Sequence, residues 1–219
     1  MRFTLGVDEA GRGPLAGPVA VAVVAVSEGF DVLKAFPGVA DSKQLSEKNR
    51  EKIYEMLVVR NLLGDTRFTV EFESAEAIDE FGIVPAVQRA LGRGVVALVP
   101  LETRPEGRRP SSDGLSLTGR APDVSNVFIY LDGSLRAPDA YAQETIIHGD
   151  ALIPLISLAS VAAKVERDRL MLALAGEYPQ YGFEEHKGYG TKKHYEMLRE
   201  YGPCAIHRRS FLHLDQTGE

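Results

Sequence analysis

Apolar residues along this chain follow two rhythms, and each predicts a different kind of element. Residues 3–7 form a short apolar run that stops at Asp8-Glu9-Ala10-Gly11-Arg12-Gly13, and residues 19–26 form a second run made almost wholly of Val and Ala. Both read as strands joined by a glycine-rich turn. The second run does not alternate, so both of its faces must be covered, as in a central strand with helices packed over it. Between 67 and 73, Phe68, Val70 and Phe72 alternate with polar neighbours, which marks a half-exposed strand. Short apolar runs return at 127–131, where Asp132-Gly133 signals a turn, at Ile146-Ile147 and at 152–156.

Helical spacing takes over elsewhere. Ser46 is placed to cap a helix over 47–57, with Ile53, Met56 and Leu57 on one face. Ser74 opens a second helical region to about Leu91, and a third runs from about Ser157 to Glu177, where Tyr178-Pro179 ends it. Residues 101–125 have no period and are rich in Pro, Gly, Ser and Arg, which predicts a mobile loop. The remainder reads as helical and rich in Lys, His and Tyr. Together these elements predict an α/β fold: a mixed sheet over residues 1–178 followed by a C-terminal helical extension over 179–219.

Composition narrows the class. At 219 residues, 44% hydrophobic and 26% charged, the chain suits one main globular domain. Cys204 is the only cysteine, so no internal disulfide and no thiolate cluster for zinc is available. The first residues do not resemble a signal peptide, and no apolar run approaches the roughly 20 residues that span a bilayer, so a reducing cytosol is the expected setting. A net charge of −6 argues against a nucleic-acid partner unless basic groups gather on one face and bound cations offset clustered acids.

Several residues invite chemistry. Asp8 and Glu9 end a strand, so their side chains leave on opposite faces unless the turn at Ala10-Gly11 brings them together; the bland alternative is a turn cap and a solvated acid. Asp132 also ends a strand, where sites collect in open α/β sheets, although Asp-Gly is itself a common turn. Asp168 lies four residues from Lys164 on the long helix, as an ordinary ion pair would, yet the small and apolar stretch before it packs this end against the sheet. Gly11-Arg12-Gly13-Pro14-Leu15-Ala16 fits a dinucleotide fingerprint on paper. Pro14, Gly17 and Pro18 interrupt the helix that fingerprint requires, which leaves a bend able to offer backbone N–H groups to a ligand. His186-Lys187-Gly188-Tyr189-Gly190-Thr191-Lys192-Lys193-His194 mixes positive charge with an aromatic ring, which suits phosphate and sugar as well as it suits a solvated loop.

Taken together, these segments resemble the ribonuclease HII family, the type-2 ribonucleases H. The residues that carry the resemblance are Gly6-Val7-Asp8-Glu9-Ala10-Gly11-Arg12-Gly13-Pro14-Leu15-Ala16-Gly17-Pro18-Val19, Asp41-Ser42-Lys43, Asp132-Gly133, the run Ala159-Ser160-Val161-Ala162-Ala163-Lys164-Val165-Glu166-Arg167-Asp168, and His186-Lys187-Gly188-Tyr189-Gly190-Thr191. The segment 101–125 departs from the family's compact pattern.

The resemblance implies a ribonuclease H-like mixed five-stranded sheet flanked by helices. It also implies an endonuclease that cuts the RNA strand of RNA–DNA hybrids and cuts duplex DNA 5′ to an embedded ribonucleotide, leaving 3′-hydroxyl and 5′-phosphate ends. Asp8, Glu9, Asp132 and Asp168 fall on the expected metal-binding carboxylates, and such a hard-oxygen set suits two Mg²⁺ or Mn²⁺ ions. By the same resemblance, Gly11, Arg12 and Gly13 would read the ribose 2′-hydroxyl. Tyr189 would stack on the next, deoxy sugar, and Ser42, Lys43 and Lys164 would hold phosphates, with Arg208 and Arg209 as weaker contacts. The implied partners are RNA–DNA hybrid and ribonucleotide-containing duplex DNA, handled by a monomer with no membrane attachment.

Overall fold

The structure, a computed structural model, describes residues 2–39, 45–99 and 124–212. Ser42, Lys43 and nearly all of the segment 101–125 lie outside the described residues. The chain builds one five-stranded mixed sheet in the order β3-β2-β1-β4-β5. Its strands are β1 (Phe3–Ala10), β2 (Val19–Ser27), β3 (Thr66–Glu73), β4 (Val127–Asp132) and β5 (Ala142–Ile146). Short connections join β1 to β2 antiparallel, and β3 pairs antiparallel on the far side of β2. After a crossover that includes helices, β4 adds parallel to β1, and β5, joined to it by residues 133–141 without a helix, adds parallel to β4. This is the mixed, helix-flanked five-stranded sheet that the pattern and the resemblance predict.

Helices α1 (Val32–Ala35), α2 (Glu47–Leu63), α3 (Ala75–Phe81), α4 (Ile83–Leu98), α5 (Gly149–Leu152), α6 (Pro154–Glu177), α7 (Phe183–His186) and α8 (Lys192–Tyr201) complete the fold. Leu5, Val7, Val21 and Val23 point to one face of the sheet, where Val87, Leu91 and Val95 of α4 cover them. Ala22, Val24 and Val26 point to the other, under Ile53 and Leu57 of α2 and Leu158 and Ala162 of α6. Both faces of β2 are therefore covered, and an alternating pattern there would bury polar groups. Among the described residues no single helix is long and apolar enough to cross a membrane.

Three boundaries differ from expectation, each for a local reason. The helix expected from 74 to about 91 is two helices, because Gly82 takes a φ of +84° and the axis turns by 119° there. The helix capped by Ser46 continues to Leu63, where Gly64 closes it in the left-handed conformation. The apolar run 152–156 is not a separate element: Leu152 ends α5, Ile153 caps α6 and residues 154–156 form its first turn, where the missing N–H of Pro154 is no loss, and a short apolar run fits strand or helix equally.

The N-terminus of α6 rests directly on β1 at Gly6, where a Cβ would fall 2.5 Å from the Leu155 carbonyl oxygen. The C-terminal extension packs in turn on the loop after Gly13, where Leu15 and Ala16 meet Met171, Tyr181, Phe183 and Leu198, so packing continues across residue 178. Within it, three buried histidines are fixed by hydrogen bonds. His194 Nδ1 donates to the Tyr189 carbonyl at 2.9 Å, so its Nε2 accepts from His207 Nε2 at 3.0 Å. His207 Nδ1 accepts from the Cys204 N–H at 2.9 Å. His186 Nε2 faces the Tyr181 carbonyl at 2.9 Å.

Two stability predictions follow from this packing. Gly6→Ala sets a methyl against backbone that cannot yield without moving α6, so urea unfolding should show a loss of about 2 kcal/mol or more. Burial, and then the neighbouring His194, hold His207 at about 4, below its ordinary 6.5. The unfolded chain therefore binds a proton that the native chain refuses, so this contribution is complete above about pH 6.5 and falls away toward pH 4. His207→Gln should flatten the pH dependence of the urea midpoint in that window by up to about 1.4 kcal/mol per pH unit; an unchanged slope would refute the assignment.

Candidate active site

The parallel pairing of β1 with β4 ends at Val7 against Leu131. The next residue on each strand is an aspartate, so Asp8 and Asp132 emerge together at the carboxyl ends of the central strands. Asp8 lies on the α6 face, 5% exposed, and hydrogen-bonds Ser160. Its Oδ1 also accepts the Glu9 N–H at 2.8 Å. β1 stays regular through Ala10, so Glu9 leaves on the opposite face, as the strand period requires. Because the β1–β4 pairing has already ended, no strand separates the two faces there and both carboxylates border one opening. Glu9 Oε1 accepts from Arg12 Nη1 at 3.1 Å, while Oε2 is buried with no hydrogen-bond partner.

Asp132 forms the turn that its Asp-Gly pair allows and lines the same opening. Its carbonyl accepts the Leu135 N–H at 3.1 Å in a turn where Gly133 takes a φ of +61°. Its carboxylate Oδ1 accepts the Asp150 N–H at 3.3 Å. Asp150 was not singled out by the sequence pattern, yet it is the fourth acid of the opening, buried in the short α5 with Ser157 Oγ donating to its carbonyl. Asp150 follows the β5 run Ile146-Ile147 closely, so the strand-end criterion that selects Asp132 also fits it.

Asp168 does not join these four. It lies eight residues beyond Ser160 on α6, about 12 Å along the axis, and does not line the cleft. It accepts instead from Lys164 Nζ at 2.7 Å, which is the ion pair its spacing allows. This corrects the expected carboxylate set: Lys164 reaches the cleft, and Asp168 holds Lys164.

The cleft is about 460 Å³ and is lined by the four acids together with Gly11, Arg12, Gly13, Arg50, Ser160, Lys164 and Tyr189. Arg50, near the start of α2, is a lining cation that the sequence pattern did not single out. Burial, then the charges of Glu9 and Asp132, raise the Asp8 carboxyl well above its ordinary range, against the hydrogen bond from Ser160. Burial also raises Glu9, against the hydrogen bond and charge of Arg12. Both shifts describe acids crowded without enough positive charge. An all-oxygen donor set and the orphaned Glu9 Oε2 fit a hard divalent cation. Among the described residues no three acids converge on one ion-sized point; Mg²⁺, which keeps several waters and binds through one or two carboxylates, does not require that convergence.

Opposite the acids, Gly11 has a φ of +88° and a Cβ there would fall 1.9 Å from Arg167 Nε. No helix follows Gly13: Ala16 bridges to His207 and β2 begins at Val19, so the dinucleotide geometry is absent. Tyr189 is 44% exposed, with Lys164 Nζ 6.0 Å from its ring centre. Arg208, expected as a phosphate contact, is instead completely buried and bonds backbone carbonyls. Arg209 is exposed, and its N–H donates to Asp79 at 2.7 Å.

This arrangement has known counterparts. The sequence profile of ribonuclease HII matches residues 5–101 and 124–214. The ribonuclease HII of Endomicrobium trichonymphae is 42% identical over 208 residues, which cover 94% of this chain and 83% of that protein. In the solved structure of the PCNA:RNase HII complex from Archaeoglobus fulgidus, the matching chain is 25% identical with a TM-score of 0.66, and 98% of each chain is covered. The fold also matches Bst-RNase HIII in complex with Mn²⁺, at 16% identity and a TM-score of 0.58 over 92% of this chain and 63% of that one. The chain belongs to the ribonuclease HII family, and so to the metal-dependent endoribonucleases with ribonuclease H activity on RNA–DNA hybrids.

Proposed function

We propose that this enzyme cuts duplex DNA on the 5′ side of an embedded ribonucleotide, as well as the RNA strand of longer hybrids, leaving 3′-hydroxyl and 5′-phosphate ends. The observation that carries this reading is the meeting of four clustered acids, one with an orphaned buried oxygen, with a glycine loop and an exposed tyrosine in the same cleft. Asp8, Glu9, Asp132 and Asp150 would hold two Mg²⁺ or Mn²⁺ ions. Bound there, the ions supply Lewis acidity that activates water and steadies the departing 3′ oxygen.

The remaining residues bind and orient the strand. The Gly11-Arg12-Gly13 backbone meets the 2′-hydroxyl, the one group that distinguishes a ribonucleotide at a given position. Tyr189 stacks on the following deoxy sugar. Arg12, Arg50 and Lys164 meet phosphates, and Asp168 keeps Lys164 extended toward the cleft. Ser42 and Lys43 are proposed to act from the segment preceding α2. These cations give an acidic protein a locally basic binding face, and the lone Cys204 suits work in a reducing cytosol.

A labelled DNA duplex with one ribonucleotide, assayed beside an all-DNA duplex and a long hybrid, tests the reading. The expected result is a cut 5′ to the ribonucleotide that requires Mg²⁺ or Mn²⁺ and stops with chelator; cutting of the long hybrid alone would overturn the junction reading. A second test separates the two candidate acids. Asp150→Asn should lower kcat by about 10²-fold or more, whereas Asp168→Asn should cost about tenfold or less, mainly in KM, since it acts through Lys164. The reverse ranking would restore Asp168 to the metal site.

A further inference from the structure

Two arginines outside the proposed chemistry lie directly behind the ribose-reading loop. Arg167 and Arg208 are both 0% exposed. Among the described residues neither forms an ion pair with a carboxylate. A buried guanidinium without a counter-ion is costly unless its nitrogens find acceptors, and here each of the three nitrogens donates to a backbone carbonyl. Arg208 donates to the carbonyls of Gly11 at 2.7 Å, Arg12 at 2.9 Å and Gly17 at 2.9 Å. Arg167 donates to Pro18 at 2.9 Å, Lys187 at 3.1 Å and Ala16 at 3.3 Å. Six carbonyls of the loop and of the Tyr189 segment are thereby turned inward.

That orientation has a necessary consequence on the other side of each peptide. No described peptide bond is cis, and in a trans peptide the carbonyl and the N–H of one plane point opposite ways. With the Gly11 and Arg12 carbonyls drawn to Arg208, the N–H groups of Arg12 and Gly13 are turned away from it, toward the cleft that both residues line. Gly11 is fitted to the same pair, since a side chain there would collide with Arg167. Lysine cannot substitute, because one ammonium lacks the planar fork that reaches three carbonyls at once.

We propose that Arg208, backed by Arg167, is a positioning residue for ribonucleotide selection, holding the Arg12 and Gly13 N–H groups at the angle from which they meet the ribose 2′-hydroxyl. The inference rests on the reading of Gly11-Arg12-Gly13 as the ribose sensor. Neither arginine touches the substrate; both act through the loop.

The test uses the full enzyme in Mg²⁺ and measures kcat and KM on a single-ribonucleotide duplex. In parallel, an all-DNA duplex serves as competitor of long-hybrid cleavage and yields its inhibition constant. Arg208→Lys should raise KM for the ribonucleotide duplex about tenfold, the scale of one misaligned hydrogen bond to a substrate group, and should leave the all-DNA inhibition constant within about twofold. A lower melting temperature with an unchanged ratio of the all-DNA inhibition constant to the KM of the ribonucleotide duplex would overturn the clamp and leave Arg208 a structural residue only. A wild-type ratio near one, with the long hybrid still cut, would overturn the ribose-sensor reading and the clamp with it. If Arg208→Lys fails to fold, Arg167→Lys measured in the same way must lower the ratio, and an unchanged ratio there overturns the proposal.

Discussion

The parallel register of β1 against β4 is the constraint on which the site depends. Their pairing stops one residue before Asp8 and Asp132, so two acids that are far apart in sequence are delivered to one point by backbone hydrogen bonds, not by their own attraction. Like charges would not assemble unaided. The sheet brings them together because Val7 and Leu131, immediately before them, are buried in the α4-side core, and a slip of one residue would turn those side chains to the wrong face. Gly6 contributes on the opposite face, where it lets α6 approach closely enough for Ser160 to reach Asp8.

Charge is distributed around the cleft in two ways. The acids are gathered in it, and burial together with neighbouring negative charge raises Asp8 and Glu9, a state that favours a divalent cation. Positive charge is held in two tiers: Arg12, Arg50 and Lys164 line the opening, while Arg167 and Arg208 are locked behind the glycine loop. Burial and the nearby Arg167 push Arg208 down to about 9, still well above neutral pH. An overall charge of −6 thus coexists with lining cations beside the acids, because net charge sums the whole surface and a ligand meets only one face.

Much of the fold was legible in the order of residues. The unbroken Val and Ala run of β2 required cover on both faces, and α4 together with α2 and α6 provides it. Ser46 caps its helix as expected, its hydroxyl accepting the Asn49 N–H. Less legible were positions where one backbone angle redirects the chain, such as Gly82, and short apolar stretches such as 152–156, whose period fits strand and helix alike.

At the site the division is sharper. By itself the sequence determined the mixed α/β class, the strand ends at Asp8, Glu9 and Asp132, the glycine bend, and the family, because those features depend on local periodicity and on a contiguous motif. Tertiary structure alone decided that Asp150 rather than Asp168 completes the acid cluster and that Arg208 faces inward. Asp150 stands between Gly149 and Ala151 and Asp168 between Arg167 and Arg169, settings that say nothing of which reaches the cleft, and both arginines of the Arg208-Arg209 pair carry the same charge. Which acid meets the cleft and which arginine turns inward depends on where α6 crosses β1 and on which carbonyls lie within reach, and those distances exist only once the chain has packed.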